Sequence, residues 1–299
     1  MKEQNSAENV EQNFNKNKTK VVCKHGFFYL DKQYSVWYNY DKLRKESIYM
    51  PKFFVKNGQI ESEKVRIVGD DVNHIINVLR MKVGDTFNVC DESTSDNYIV
   101  KIMEFNKEDI LCNIIEKCDD NAESNVKVHI YQGLPKADKM ELIIQKSVEL
   151  GVEKITPVEM KRCIVKLDEK DKVKKIDRWQ KIAEVAAKQS GRDIIPEICS
   201  VKNVKDISSD FDKYNLVLLC YENEKVTYLK DALKSLNGKN ELKIAVIIGP
   251  EGGIDISEVE YMKQRGAKVV SLGNRILRTE TVALSLLSII MYEFERNEK

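Results

Sequence analysis

Two stretches near the C-terminus combine residue types that do chemistry. The first is Ile244-Ala-Val-Ile-Ile-Gly-Pro-Glu-Gly-Gly253. Its apolar run, Ile244–Ile248, reads as a strand buried on both faces. The strand ends directly in a glycine-rich loop. Open α/β sheets bind ligands at the carboxyl ends of their strands, and glycines there let backbone N–H groups approach a ligand closely. The same pattern also serves a plain tight turn. Neither a G-x-G-x-x-G nor a G-x-x-x-x-G-K-[ST] pattern occurs, so dinucleotide and P-loop phosphate binding are not supported.

The second stretch is Ser271-Leu-Gly-Asn-Arg-Ile-Leu-Arg-Thr-Glu-Thr-Val282. A strand ends, a glycine follows, and a helix is predicted from Thr279, with Thr279 as N-cap and Thr281 in the first turn. Arg275 and Arg278 flank Ile276-Leu277. A capped helix with surface ion pairs explains the arginines but not the apolar pair between them. An apolar pocket for a flat ring, with guanidinium groups beside it for an anion, explains both. A third stretch, Lys161–Arg192, holds eleven lysines and arginines, well in excess of its acids. It is either a solvated helix face or a surface that meets phosphates.

The elements that position these residues follow from periodicity. Lys52–Lys56, Lys64–Val68, Thr86–Cys90, Tyr98–Met103 and Ile110–Glu116 read as strands. One helix interrupts them, with Val72, Ile75, Ile76 and Leu79 on one face and Asp70 or Asp71 as N-cap. This part has the size of a small RNA-binding barrel. Cys118–Asn125 is polar and reads as a linker. The remainder alternates strand and helix: strands at Val126–Gln132, Lys154–Val158, Leu216–Cys220, Ile244–Ile248 and Lys268–Leu272, helices at Ala137–Leu150, Lys172–Gln189, Val226–Leu236, Ser257–Arg265 and Thr279–Glu293. That alternation predicts a parallel-sheet α/β domain.

Residues 1–49 differ. Met1–Lys20 has a disordered composition, with only four apolar residues. Seven aromatics then crowd Phe27–Tyr40, as a tail or as an arm able to stack on RNA bases. Met50-Pro51 looks like a second start.

Composition narrows the class. The 299 residues fit one large domain or two ordinary ones. The net charge of +1 confines any nucleic-acid surface to a local patch. Apolar runs are far below the roughly 18 residues of a membrane helix, and no secretory leader is visible. The seven cysteines form no C-x-x-C pair and the three histidines are scattered, so the expectation is a cytoplasmic protein with no metal site.

Gly249–Gly253 (GPEGG) together with Leu272–Thr281 (LGNRILRTET) resembles the RsmE family of 16S ribosomal RNA uridine methyltransferases, of the SPOUT class. His74 with Val78-Leu79-Arg80 and Gly84-Asp85 is similar to the family's N-terminal domain. Lys139-Met-Glu141, Gln145-Lys146 and Glu149-Leu-Gly-Val152 fit its first α/β unit, and Arg178-Trp179, Ala187, Gln189-Ser190 and Arg192 the next. The resemblance covers about residues 50–297. Lys52 stands where the family commonly has Arg, Asn274 replaces a frequent Pro, and Val282 a usual Ala.

The resemblance implies a PUA-like β-barrel at 50–120, a knotted SPOUT α/β methyltransferase domain at 121–299, and residues 1–49 as an extension. It implies S-adenosylmethionine as cofactor, held by Leu219, Gly249, Pro250, Gly252, Gly253, Leu272, Gly273, Ile276, Leu277 and Thr281. It implies a homodimer that methylates N3 of a uridine in 16S rRNA, position 1498 in the usual rRNA numbering. N3 carries a proton, so a base or an enolate stabiliser is needed. Arg278 is ranked first, as a stabiliser of oxyanion charge on a uracil carbonyl. Glu280 and Glu251 are the carboxylates, each fitting a base or a loop and capping role. Arg80, Arg162, Lys166 and Arg192 are expected to meet RNA phosphates. Another rRNA or tRNA position, or a non-catalytic ribosome-assembly factor, are the alternatives; an NAD(P)-dependent oxidoreductase lacks its glycine fingerprint.

Overall fold

A computed structural model describes residues 50–118, 122–236 and 241–295, and the backbone of two strands nearer the N-terminus. Those two, β1 (Lys18–Cys23) and β2 (Gly26–Asp31), pair antiparallel. They belong to a unit of residues 1–49, separate from residues 50–299. The hairpin begins within the stretch expected to be disordered. Val21-Val22 and Phe27-Phe28-Tyr29 favour strands, in runs too short for periodicity to register. The other expectations for residues 1–49 fall outside the described residues.

From residue 50 the chain builds two sheets. The first comprises β3 (Lys52–Val55), β4 (Ile60–Glu61), β5 (Lys64–Val68), β6 (Thr86–Asp91), β7 (Asn97–Phe105) and β8 (Asp109–Cys118). Their order is β3-β6-β7-β8-β5-β4, with β3 and β6 parallel and the other pairs antiparallel. Alternate residues such as Val65, Ile67, Phe87, Val89, Val100 and Ile102 form its core. The one helix departs from expectation. α1 (Asp70–Asn73) starts after Gly69 and passes into a π-helical turn, His74–Val78. The wider turn rotates the face, so Val72 and Ile75 are buried while Ile76 and Leu79 are exposed. Asp70 and Asp71 occupy the first turn and make no side-chain cap.

The second sheet is parallel throughout. Its strands are β9 (Val126–Gly133), β10 (Lys154–Glu159), β11 (Glu197–Ile198), β12 (Lys202–Asn203), β13 (Leu216–Cys220), β14 (Leu242–Ile248) and β15 (Lys268–Val270). The order is β11-β10-β9-β14-β13-β15, with β12 also on β10. The helices are α2 (Lys139–Glu149), α3 (Glu169–Ser190), α4 (Val204–Ser208), α5 (Leu229–Leu233), α6 (Ile256–Lys263) and α7 (Thr279–Phe294). The apolar runs of β13 and β14 are buried as predicted for central strands. The carboxyl ends of β13, β14 and β15 therefore lie side by side, and both motif loops leave from there. No helix among the described residues is long and apolar enough to cross a membrane.

A buried polar cluster joins the two sheets. The Asp193 side chain, 2% exposed, pairs with Lys52 of β3 and accepts from Asn97 Nδ2 of β7 (2.8 Å) and from the backbone N–H of Ala122. Lys52 also donates to the Gly191 carbonyl (3.1 Å). The Cys90 thiol of β6 donates to the Asp193 carbonyl (3.1 Å), and burial pushes that thiol up to about 12. Beside it Arg192 pairs with Glu123 and donates to the carbonyls of Val148 and Val152. Arg192 is thus buried and fully engaged, which corrects the expectation that it meets RNA phosphates.

Removing one partner of a buried ion pair strands the other in a dry site. Asp193→Ala is expected to cost about 3–5 kcal/mol by urea denaturation. The double change Lys52→Met with Asp193→Leu is expected to cost less than Asp193→Ala alone.

Candidate active site

The loops after β13, β14 and β15 surround a cleft of about 520 Å3, in the range of small-molecule sites. Cys220, Tyr221 and Glu222 line it from the first loop, Gly249–Ile254 from the second, and Ser271–Arg278 from the third. Lys139 of α2 and Thr279 and Val282 of α7 complete it. A larger and more open groove, about 790 Å3, lies between α2 and α3, and contains none of the motif loops.

The walls are set by close backbone approach. A Cβ on Gly133, at the end of β9, would lie 2.7 Å from the Pro250 ring and 2.8 Å from its nitrogen. Only glycine lets the Gly249–Gly253 loop sit this tightly on β9. Gly253 has a φ of +70°, and a Cβ there would strike the Glu222 carboxylate. The third loop is hung on the chain entering α5: Ser271 N–H donates to Thr227 O (2.8 Å) and Leu229 N–H to Ser271 O (3.1 Å).

Thr279 holds the second loop to the third. The sequence predicts it as an N-cap, but the cap position is taken by Arg278, whose side chain makes no cap bond. Thr279 is the first helical residue. Its hydroxyl donates to the Gly249 carbonyl (2.8 Å) and accepts from Gln132 Nε2 of β9 (2.8 Å). Thr279 and Gln132 are both buried.

The charged groups divide into paired and open. Lys139 Nζ lies 2.9 Å from Glu251 Oε1 and 3.5 Å from Glu280 Oε2. Glu251 also accepts from the Lys136 N–H (3.1 Å). Burial alone would raise the Glu251 carboxyl; the bonds from Lys139 and the backbone outweigh it and hold that carboxyl below its ordinary range. Lys139 is itself raised, chiefly by its bond to Glu251. Glu280 Oε2 is buried and has no hydrogen-bond partner among the described residues. Arg275 and Arg278 line the cleft, and neither has a carboxylate partner among the described residues.

Most residues named from sequence meet here. Gly249, Pro250, Glu251, Gly252, Gly253, Leu272, Gly273, Ile276, Leu277 and Arg278 all line the cleft, and Glu280 sits behind it against Lys139. Leu219 does not: strand alternation turns it into the core, and Cys220 and Tyr221 take its place. Thr281 points out to solvent, two helix positions past Thr279, so it does not line the cleft either. Arg162 is half exposed and donates to the Gly252 carbonyl (3.2 Å), while Arg80 and Lys166 are exposed. Several bases of the Lys161–Arg192 stretch have acid partners: Lys172 with Glu159 and Glu169, Arg178 with Glu141, Lys188 with Asp71. Sequence reasoning missed the roles of Gln132, Glu222 and Lys139. Gln132 carried no signal; Lys139 carried one, as a cation in the first turn of a predicted helix.

A family model described as an RNA methyltransferase domain matches residues 122–291, and one described as an RNA methyltransferase PUA domain matches residues 67–115. A cleft at the carboxyl ends of parallel strands, preceded by such a domain, defines an RNA methyltransferase fold. The chain is 36% identical over 255 residues to the ribosomal RNA small subunit methyltransferase E of Bacillus subtilis, covering 82% of this chain and 98% of the relative. The enzyme of that name from Buchnera aphidicola (subsp. Schizaphis graminum) is 33% identical, covering 82% and 97%. A crystal structure of the Neisseria gonorrhoeae enzyme of that name, bound to S-adenosyl methionine, superposes with a TM-score of 0.73 at 28% identity, covering 82% of this chain and 98% of that one. The chain belongs to the ribosomal RNA small subunit methyltransferase E family.

Thr279→Val keeps the shape and removes the hydroxyl, leaving the Gly249 carbonyl and the Gln132 amide short of a partner. It is expected to destabilise the protein by about 1–3 kcal/mol in urea titrations.

Proposed function

We propose that this protein transfers a methyl group from S-adenosylmethionine to N3 of a uridine in 16S rRNA, uridine 1498 in the usual rRNA numbering. The observation that carries the reading is the cleft itself: three loops converge on glycine-lined walls, with two arginines at its edge that have no acid partner among the described residues. The residues fit the cofactor. Gly249, Gly252 and Gly253 line the cleft with backbone, and a Cβ on each would meet Ile254, Arg162 or Glu222. Ile276 is 88% exposed at the rim, an apolar side chain that a bound ring would cover. Glu222 and Tyr221 offer polar groups beside it. S-adenosylmethionine, when bound, supplies an already activated methyl group.

This chain's residues then have three tasks. They hold the uracil in line, and fixed positioning supplies up to roughly 7–11 kcal/mol of a barrier. They take the N3 proton, which frees the N3 electron pair to bond the methyl carbon as the methyl–sulfur bond breaks and its pair stays on sulfur. They steady the charge that develops on the uracil carbonyls. Arg278 steadies the charge, since its guanidinium is at the cleft and free of a carboxylate. Glu280 is assigned the proton, as the carboxylate that follows the third loop and stands behind the cleft and beside Lys139 rather than tied to a backbone N–H among the described residues. Glu251 anchors its loop, being held by Lys139 and Lys136.

The rest of the reading extends this site. Residues 50–120 form the PUA-like domain that grips RNA and 121–299 the methyltransferase domain, whose C-terminal loops form a knot of the SPOUT type. Arg80, Arg162 and Lys166 meet phosphates. The protein works in the cytoplasm as a homodimer. Exposed Leu142 of α2 with Ile289 and Tyr292 of α7, two helices that pack together, supply an apolar face for the second copy.

The test is methyl transfer from labelled S-adenosylmethionine to 30S subunits from cells lacking the protein, followed by mapping of the product. N3-methyluridine at the expected position is the predicted result; label at another nucleotide, or none, rejects the proposal. Arg278→Ala is expected to lower turnover about 100-fold or more, the usual cost of losing an oxyanion donor, with a smaller change in cofactor affinity. Near-normal turnover would remove the role given to Arg278.

A further inference from the structure

Lys139 breaks a local rule. It is the first residue of α2, at the positive end of an 11-residue helix. A cation there is repelled by the helix dipole. The residue is nevertheless directed inward, to the cleft, where two carboxylates from different segments meet it. Glu251 comes from the loop after β14, and Glu280 from the first turn of α7. Their oxygens are no farther apart than the sum of the two Lys139 distances. The turn before α2 is shaped for this contact. Ala137 has a φ of +52°, a left-handed conformation that a Cβ disfavours. That turn presents both the Lys136 N–H and the Lys139 ammonium to the same Glu251 carboxylate. Glu280 Oε2, buried and without a hydrogen-bond partner among the described residues, has Lys139 Nζ 3.5 Å away as its nearby balancing charge.

We infer that Lys139 is a positioning residue: it keeps the Glu251–Glu280 pair doubly ionised and so leaves Glu280 able to take the N3 proton. The inference rests on the role of Glu280 proposed above. Without the ammonium, two like charges share one partly buried place, and one of them retains a proton. A base that is already protonated cannot accept another. The other charged residues that adjoin this spot in the chain or line the cleft are Lys136 and Asp138 before α2, Arg278 before Glu280, and Glu222 and Arg275; among the described residues, Lys139 is the one whose side-chain charge lies within ion-pair distance of both carboxylates. Arginine at this position would keep the charge.

The test compares wild type, Lys139→Met and Lys139→Arg. Turnover on 30S subunits is followed across the acid limb of the pH profile. Lys139→Met is expected to move that limb up by about 1–3 pH units and to approach wild-type turnover at alkaline pH. Lys139→Arg is expected to keep the wild-type limb. A Lys139→Met profile lowered equally at every pH overturns the inference, because that is what a merely structural role produces. A second readout needs neither cofactor nor RNA: carbon NMR titration of the glutamate carboxyls in the ligand-free protein. One carboxyl of the pair is expected to hold its proton to higher pH in Lys139→Met, and an unchanged titration overturns the inference. Lys139→Gln is run in parallel should the methionine variant fold poorly. Failure of the wild-type enzyme to methylate 30S subunits would instead sink the functional reading, and the carboxyl titration would still decide the charge balance.

Discussion

The Thr279 hydroxyl joins three segments that are distant in sequence. It donates to Gly249 at the end of β14, accepts from Gln132 at the end of β9, and belongs to the first turn of α7. All three lie at the carboxyl edge of one parallel sheet, where each strand exposes backbone groups with no further strand partner. A buried carbonyl without a donor is costly, so the hydroxyl fixes how the Gly249–Gly253 loop and the Leu272–Arg278 loop meet. The cleft between them is a by-product of that meeting. Its shape depends equally on what is absent: a side chain at Gly133 would push the loop away from β9, and one at Gly253 would be strained at its positive φ.

The charged residues are arranged on the same logic. Those that hold the structure are satisfied and largely buried: Lys52 with Asp193, Arg192 with Glu123. Those at the cleft edge, Arg275 and Arg278, have no acid partner among the described residues. Lys139 stands between the two groups, paired but lining the cleft. A protein of balanced net charge thereby places two arginines without acid partners, among the described residues, at the cleft edge.

The sequence carried much of this. Continuous apolar runs located β13 and β14, and the glycine-rich loops after them marked the cleft, because buried parallel strands and their exits have strong local signatures. What failed depended on contacts that no local pattern records. Thr279 has the chemistry of an N-cap, and only the arrival of Gly249 and Gln132 gives its hydroxyl other partners. Arg192 looked like one more base in a basic run, and only the fold shows it enclosed by Glu123 and two carbonyls. Leu219 lies one residue short of the cleft, since in a strand a shift of one residue exchanges core for cleft. The π-helical turn at His74–Val78 changed the helical phase on which Ile76 and Leu79 had been assigned.

Cys90 gives the junction between the two sheets an internal gauge. Its thiol is enclosed by the Asp193 contact, and burial suppresses ionisation so far that the thiolate is scarce at neutral pH. An alkylating reagent therefore reaches it only when β6 and the segment around Asp193 part. Its labelling rate under native conditions counts those openings directly. The junction can in that way be timed from a side chain it already carries, once label on Cys90 is resolved from label on the other cysteines.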